Sequence, residues 1–471
     1  MRKTKLVITF GPALADDLRL REVLKEADAI RLNASHGDAA GRSEALRRVR
    51  TLAKEMGRTV PVFLDLQGPK WRVGLFDEPI PLENGSEGVL YPSSEAAPAG
   101  FPWAVPLPHP ELFGAAAPGQ RWLLDDGALT LEVLEASPSR IRARVVRGGL
   151  LKPRKGVHPV GLDVALDPLT EKDLADIAWG VEHDVDLFAQ SFVRRASDVM
   201  QLQAIIQKHG GTQPVIAKIE HPTALQNLPE ILDASWGVMV ARGDLGVELG
   251  VERVPGLQKQ IIEAARSALK PVITATQMLE SMIENPQPTR AESSDVANAI
   301  WDGTDAVMLS AESASGEYPV EAVQWLARIA AEADAAHRRR PLPESTLQRA
   351  AGRTDVAVAF AACRVAEELG ARWIVAFTEG GGTARMVSRL AGPTPVIGAT
   401  TDAATARRMG LLRGVTALII PRVQSTDEMV EVVRELLQSR HELLAGDHAV
   451  MTMGLPLWKS GTTNTMKVMT F

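Results

Sequence analysis

Eight short, almost uninterrupted apolar runs punctuate this chain, at residues 5–10, 29–32, 62–66, 186–192, 215–219, 237–241, 272–275 and 306–309. A strand covered on one face alternates apolar and polar residues, whereas a strand covered on both faces is apolar throughout. The runs therefore read as a parallel sheet buried on both sides. Stretches with helical spacing separate most of them, at 17–26, 44–56, 171–182, 196–208, 254–269 and 291–301. Eight strands with interposed helices suggest closure into a (β/α)8 barrel.

One connection breaks the rhythm. Over a hundred residues separate the third and fourth runs, with nine prolines between residues 75 and 120. Alternating stretches follow at 130–134 and 140–146, as in a small all-β module. Residues 337–343 read as a basic, proline-containing linker, after which strand and helix patterns alternate anew. A chain of 471 residues has room for about three domains. The expected fold class is α/β: a (β/α)8 TIM barrel with an inserted small β-barrel domain and a C-terminal open α/β domain. The expected boundaries are 1–72 and 157–340 for the two parts of the barrel, 73–156 for the insertion and 341–471 for the last domain.

Composition removes whole classes of function. A single cysteine, Cys363, excludes a disulfide framework and any multi-cysteine metal site. A net charge of −6 argues against a chain built to grip nucleic acid or anionic lipid. No apolar run approaches the ~20 residues of a spanning helix. The start at Arg2, Lys3 and Lys5 meets Gly11-Pro12 and Asp16-Asp17 too soon for a signal-peptide core. The cytoplasm is the expected location.

Chemistry in such a barrel gathers at the C-terminal ends of its strands. Here those ends are heavily polar. The second run leads into Arg31, Asn33, Ser35 and His36, and the third into Asp65, Lys70 and Arg72. The fifth carries Lys218 and Glu220, the sixth Arg242-Gly243-Asp244, the seventh Thr276, and the eighth Ser310 and Glu312. Glu220 and Asp244 are hard oxygen ligands of the kind that suit Mg²⁺. Lys218, Arg31 and Arg72 offer positive charge to an anion, phosphate foremost. The Gly243 to Gly246 turn offers backbone N–H groups to a carboxylate or phosphate. Taken singly, each residue has a plainer use: Lys218 and Glu220 a rim salt bridge, Asp65 a turn, Thr276 a helix cap, Arg72 a snorkelling side chain, His36 a surface histidine. Six strand ends converging on one rim outweigh those uses, and the combination points to phosphoryl transfer.

Seven stretches carry a resemblance to a known family: residues 9–12, 31–37, 64–70, 217–220, 239–246, 274–282 and 302–310, in family order. The chain resembles the pyruvate kinase family over nearly its whole length. That resemblance implies transfer of the phosphoryl group of phosphoenolpyruvate to ADP. It implies that Lys218 steadies the phosphoryl group, that Glu220 and Asp244 hold Mg²⁺ (or Mn²⁺), and that the amides of Gly243 and Asp244 take the substrate carboxylate. Thr276 would assist protonation of the enolpyruvate, and Arg31 and Arg72 would contact phosphate. Asn33, His36, Arg72 and Lys155 would face the nucleotide. Asn33, Ser35, Asp65 and the Leu66 carbonyl would form the monovalent-cation pocket. Lys218 is expected in a solvated cleft, so its replacement should spare folding.

Departures from the family pattern carry further expectations. Ala34 replaces a usual aromatic, Trp71 a common isoleucine, and residues 155–161 alter the usual hinge sequence. Ser310-Ala311-Glu312 stands for a usual Ser-Gly-Glu. The stretch Asp65-Leu66-Gln67-Gly68-Pro69-Lys70 has lost the usual Thr and exchanged the usual Glu for Lys70. It resembles the K⁺-independent branch, with Lys70 supplying the missing charge, so K⁺ is not expected to be required. The family's effector loop matches residues 378–383, with Gly380, Gly381 and Gly382 where serine is usual. Thr383 with Ser460, Gly461, Thr462 and Thr463 is expected to form a weakened or altered site for a phosphorylated effector. The likeness also implies a homotetramer, with the C-terminal domain regulatory. Two other readings stay open: a Mg²⁺-dependent barrel aldolase, and a non-catalytic metabolite sensor.

Overall fold

The computed structural model describes residues 2–125, 127–162, 167–336, 346, 352–439, 442, 444–457, 459 and 461–471. The linker at 337–343 and Ser460 of the effector loop lie outside the described residues. The eight barrel strands are Lys5–Thr9, Ala29–Asn33, Val62–Asp65, Leu187–Gln190, Val215–Ile219, Gly237–Ala241, Val272–Ala275 and Ala306–Leu309. They pair in parallel, each with its sequence neighbours, and the last closes on the first. Inside the ring, small Ala29, Ala189 and Ala275 interleave with Phe63, Met239 and Met308. A second apolar layer, including Leu6, Ile8, Leu64, Phe188 and Val240, joins the strands' outer faces to the helices. Both faces are covered, which is why the strands read as continuous apolar runs.

Helix starts follow local chemistry. Asp38 accepts the Gly41 N–H and begins the helix Ala39–Glu55 five residues before its apolar spacing becomes regular. Thr170 and Asp173 form a reciprocal capping box ahead of Glu171–Glu182.

The barrel floor is built from aspartates. Asp28, Asp186 and Asp305 each precede a strand and accept an N–H at the start of an adjoining one, from Leu6 at 2.9 Å, Val62 at 2.8 Å and Val272 at 2.8 Å. Two of these carboxylates also receive the C-terminal domain, through Arg407 to Asp186 at 2.6 Å and Arg389 to Asp305. Arg413 adds a third pair, to Asp334 at 2.6 Å.

The inserted module has a six-stranded sheet in the order Val157–Pro159, Arg121–Leu124, Leu129–Ser137, Arg140–Arg147, Glu87–Pro92 and Ala104–Leu107. Its end strands do not pair, so it is a partial barrel, with Ile80–Leu82 and Gly149–Leu151 as a separate ribbon. The C-terminal domain is a five-stranded sheet in the order Val415–Ile419, Val396–Thr400, Trp373–Phe377, His448–Gly454 and Thr463–Thr470. Only the last strand is antiparallel.

Candidate active site

The third, fourth and fifth strands end side by side, and their last residues interlock. Lys218 Nζ lies 3.1 Å from Asp65 Oδ1, 3.0 Å from Glu220 Oε1 and 2.7 Å from Ser191 Oγ. Arg31 donates from Nε to Asp65 Oδ2 at 2.7 Å and from Nη1 to Thr9 Oγ1 at 3.1 Å. The group is nearly dry: Asp65 and Glu220 are 1 % exposed and Lys218 is 11 %. Lys218 is therefore not in the solvated cleft expected from the sequence; the neighbouring strand ends enclose it.

Burial and charge work against each other here. Burial alone would lower the Lys218 ammonium, but Asp65 and Glu220 outweigh it and hold the group well above its ordinary value. Burial would raise Asp65, yet Lys218 and Arg31 keep it below the usual carboxylate range. Glu220 goes the other way. Burial pushes it up to about 7, and the nearby Asp244 adds to the push against the pull of Lys218. Two carboxylates that repel each other, one buried and one facing the cleft, form a pair that a divalent cation would relieve. Among the described residues there is no cluster of three or more metal-ligating side chains. A carboxylate pair fits an ion that takes one or two carboxylates and completes its shell with water and substrate oxygens.

The sixth strand delivers Asp244 through the helix Arg242–Leu249, whose first turn also carries Gly243. The Gly243 N–H donates to Thr276 Oγ1 at 2.9 Å. Thr276 and Gln277 both have left-handed backbones, at φ +67° and +54°. Such conformations cost roughly 1–3 kcal/mol each and persist where surroundings enforce them. Arg242 enforces this one, donating to Thr276 O at 2.7 Å and Gln277 O at 2.9 Å while pairing with Asp295 at 2.6 Å. Glu312 is turned inward, accepting from Ser310 N and Leu279 N, so it fixes the rim.

Other predicted residues fall into separate groups. Asn33, Ser35 and His36 form one loop, with Asn33 Nδ2 3.1 Å from His36 Nδ1 and Asn33 Oδ1 accepting from Ser35 N. The Leu66 carbonyl accepts from Ser191 Oγ at 2.7 Å. Lys70 Nζ lies 3.5 Å from Asp244 Oδ1. Gly68, at φ +69°, lets this segment turn, and a Cβ there would come within 2.9 Å of Ser191. Arg72 sits at the hinge, donating to Arg154 O at 2.9 Å, and Lys155 pairs with Asp125 of the inserted module at 2.7 Å. A cleft of about 780 Å³ between barrel and module brings Lys70, Gly243, Asp244 and Thr276 opposite Arg121 and Arg147.

Sequence reasoning missed Ser191 and the clamp role of Arg242. The signal for Ser191 was present: the fourth strand also ends in polar residues, Gln190-Ser191. The Arg242 clamp had none, because its partners are backbone carbonyls thirty-four and thirty-five residues away.

A lysine poised between carboxylates, under a β module hinged over a barrel rim, defines a (β/α)8 protein whose site suits the movement of a phosphoryl group. Comparison with known proteins narrows the class. The family model described as pyruvate kinase, barrel domain, matches residues 1–323, and that of the pyruvate kinase alpha/beta domain matches residues 356–469. The chain is 42 % identical over 469 residues to a pyruvate kinase of Agrobacterium vitis, covering 99 % of this chain and 98 % of that protein. It is 41 % identical over 472 residues to one from Geobacillus stearothermophilus, covering 99 % and 80 %. The chain belongs to the pyruvate kinase family.

Proposed function

We propose that the chain transfers the phosphoryl group of phosphoenolpyruvate to ADP, giving pyruvate and ATP in the last step of glycolysis. The observation that carries this reading is Lys218, held charged between Asp65 and Glu220 at the centre of the strand ends. A fixed ammonium there stabilises charge on a phosphoryl group in flight without reorganising at the moment of transfer. Arg31, already oriented by Asp65, and Arg72 at the hinge add positive charge toward phosphate oxygens. The Gly243 and Asp244 amides at a helix start take the substrate carboxylate. For that, Thr276 Oγ1 gives up the Gly243 N–H and turns to the enolpyruvate, where it assists protonation. Asn33, His36, Arg72 and Lys155 face the nucleotide. Closure of the module excludes water from the cleft.

Glu220 and Asp244 would hold Mg²⁺ or Mn²⁺, which supplies neutralisation of phosphate charge when bound. Independence from K⁺ is supported by three of the four expected cation ligands already being engaged. Asp65 faces two cations, the Leu66 carbonyl has Ser191, and the Asn33 carbonyl has Ser35 N–H. Lys70 adds fixed charge near Asp244. Turnover in tetramethylammonium buffer should match that with K⁺ added, and Lys70→Glu should create a K⁺ requirement; strong K⁺ activation of the unmodified protein refutes this.

A phosphorylated effector is supported by a cavity of about 440 Å³ lined by Thr378, Thr383 and Thr463 together with Lys270, Arg353 and Arg385. Burial lowers Arg385, and the neighbouring Arg353 adds to it, so an anion would be welcome there. The assembly is read as a homotetramer in the cytoplasm; among the described residues no helix is long and apolar enough to cross a membrane. The deciding assay is pyruvate formation from phosphoenolpyruvate that requires ADP. Pyruvate formed equally well without ADP would overturn the reading.

A further inference from the structure

The inserted module joins the barrel through two chain crossings, one entering near residue 70 and one leaving near residue 158. Both grip the same short helix. On entry, Lys70 Nζ lies 3.5 Å from Asp244 Oδ1. On exit, His158 Nδ1 lies 3.0 Å from Glu248 Oε1. Asp244 and Glu248 are four residues apart on Arg242–Leu249, hence on one face and one turn apart. His158 belongs to the strand Val157–Pro159, which pairs with Arg121–Leu124, so it moves with the module's sheet. Glu248 belongs to the helix that presents Gly243 and Asp244 to the cleft.

The exit contact is sheltered. Glu248 is 8 % exposed and His158 19 %. The surrounding cavity holds about 70 Å³ and includes Leu123, Leu162, Phe192 and Val247 among its walls. His158 Nε2 is buried without a hydrogen-bond partner, so Nδ1 makes the ring's polar contact. A polar contact to a carboxylate is stronger away from water than on a surface.

We propose that His158 and Glu248 are a positioning pair: they dock the module onto the helix that bears Gly243 and Asp244, and so set the fraction of molecules poised to take substrate. Neither residue touches the reacting atoms. The proposal rests on the phosphoenolpyruvate reading of the site. When only part of a population is competent, apparent affinity falls in proportion, while turnover at saturation is spared. Undocking should therefore act on KM and leave kcat alone.

The test uses the full-length protein with His158→Ala, Glu248→Gln, the double variant and His158→Asn. Asn places its amide N–H where Nδ1 of the imidazole stood. Loss of this sheltered imidazole–carboxylate contact should raise KM for phosphoenolpyruvate about tenfold in His158→Ala, with kcat within about twofold and the melting temperature unmoved. The double variant should be no worse than the poorer single one, because the two residues make one contact. His158→Asn should recover most of the loss. Amide hydrogen exchange at residues 121–124 and 157–159, measured without substrates, should quicken in His158→Ala. That readout stands apart from activity, so a failed assignment of substrate and a failed docking pair give different results. Unchanged exchange overturns the pair, as does unchanged KM, additive single effects, or a fall in kcat and stability that Asn does not rescue.

Discussion

Replacing Lys218 by Met removes an ammonium held 3.0 Å from Glu220 and 3.1 Å from Asp65. Unit charges about 3 Å apart interact by roughly 5 kcal/mol at an effective dielectric near 20. One pKa unit corresponds to about 1.4 kcal/mol, so losing half of that attraction would lift Glu220 by about two units. Burial already holds this carboxyl at about 7, with Lys218 pulling it down. In Lys218→Met it would be protonated at neutral pH, and a protonated carboxyl is a poor ligand for a divalent cation. Two effects should appear together. Turnover should drop ~10²–10³-fold, the usual cost of removing one preorganised stabiliser. The Mg²⁺ concentration for half-saturation should rise at pH 7 and recover toward the wild-type value at pH 9, where Glu220 ionises. Breaking a buried ion pair costs ~3–5 kcal/mol; protonation of Glu220 relieves part of this, so the melting temperature should fall by several degrees rather than fold being lost. Mg²⁺ titrations of ADP-dependent pyruvate formation at the two pH values, beside thermal melts, make the comparison. Near-normal turnover, or a half-saturation in the variant that matches the wild type at both pH values, would refute the reasoning.

Lys270 in the C-terminal cavity is drawn down to about 8 by burial, with Arg385 next in effect. Inorganic phosphate should therefore bind several-fold more weakly at pH 9.5 than at pH 7.5 as the ammonium is lost, and Lys270→Met should bind weakly at both; calorimetry showing no pH step in the unmodified protein would contradict this. Arg242→Met frees the left-handed backbone at Thr276 and Gln277 and leaves their carbonyls without this donor, so kcat should fall ~10–100-fold with a stability loss of about 2 kcal/mol. Wild-type kcat in a correctly folded Arg242→Met protein would show that the clamp is idle.

The barrel was legible because burial on both faces writes itself into the chain as unbroken apolar runs. Leu64, Phe188 and Val240 face the helices while Phe63, Ala189 and Met239 face the axis, and both sets must be apolar. The insertion was legible for the opposite reason: prolines and alternating residues are incompatible with covered parallel strands. The carboxylate pair and Lys218 stood out because hydrophilic residues at strand ends in such a barrel lack a packing use.

What the linear chain leaves open is which strand ends become neighbours. Strands three and four are separated by more than a hundred residues, yet ring closure sets Asp65 against Ala189 in register. Only that adjacency lets Ser191 bridge Lys218 to the Leu66 carbonyl, and only it dries Lys218 to 11 % exposure. Lys70 was readable as a charge exchanged in a motif, but its partner, Asp244, was decided by where the hinge segment passes over the sixth strand's helix. His158 meets Glu248 for the same reason. Residue type and period are local properties of a chain, so they fix strands and candidate groups. The distances that set charge, strain and metal affinity are made by contacts across tens to hundreds of residues, and those exist only once the ring has closed.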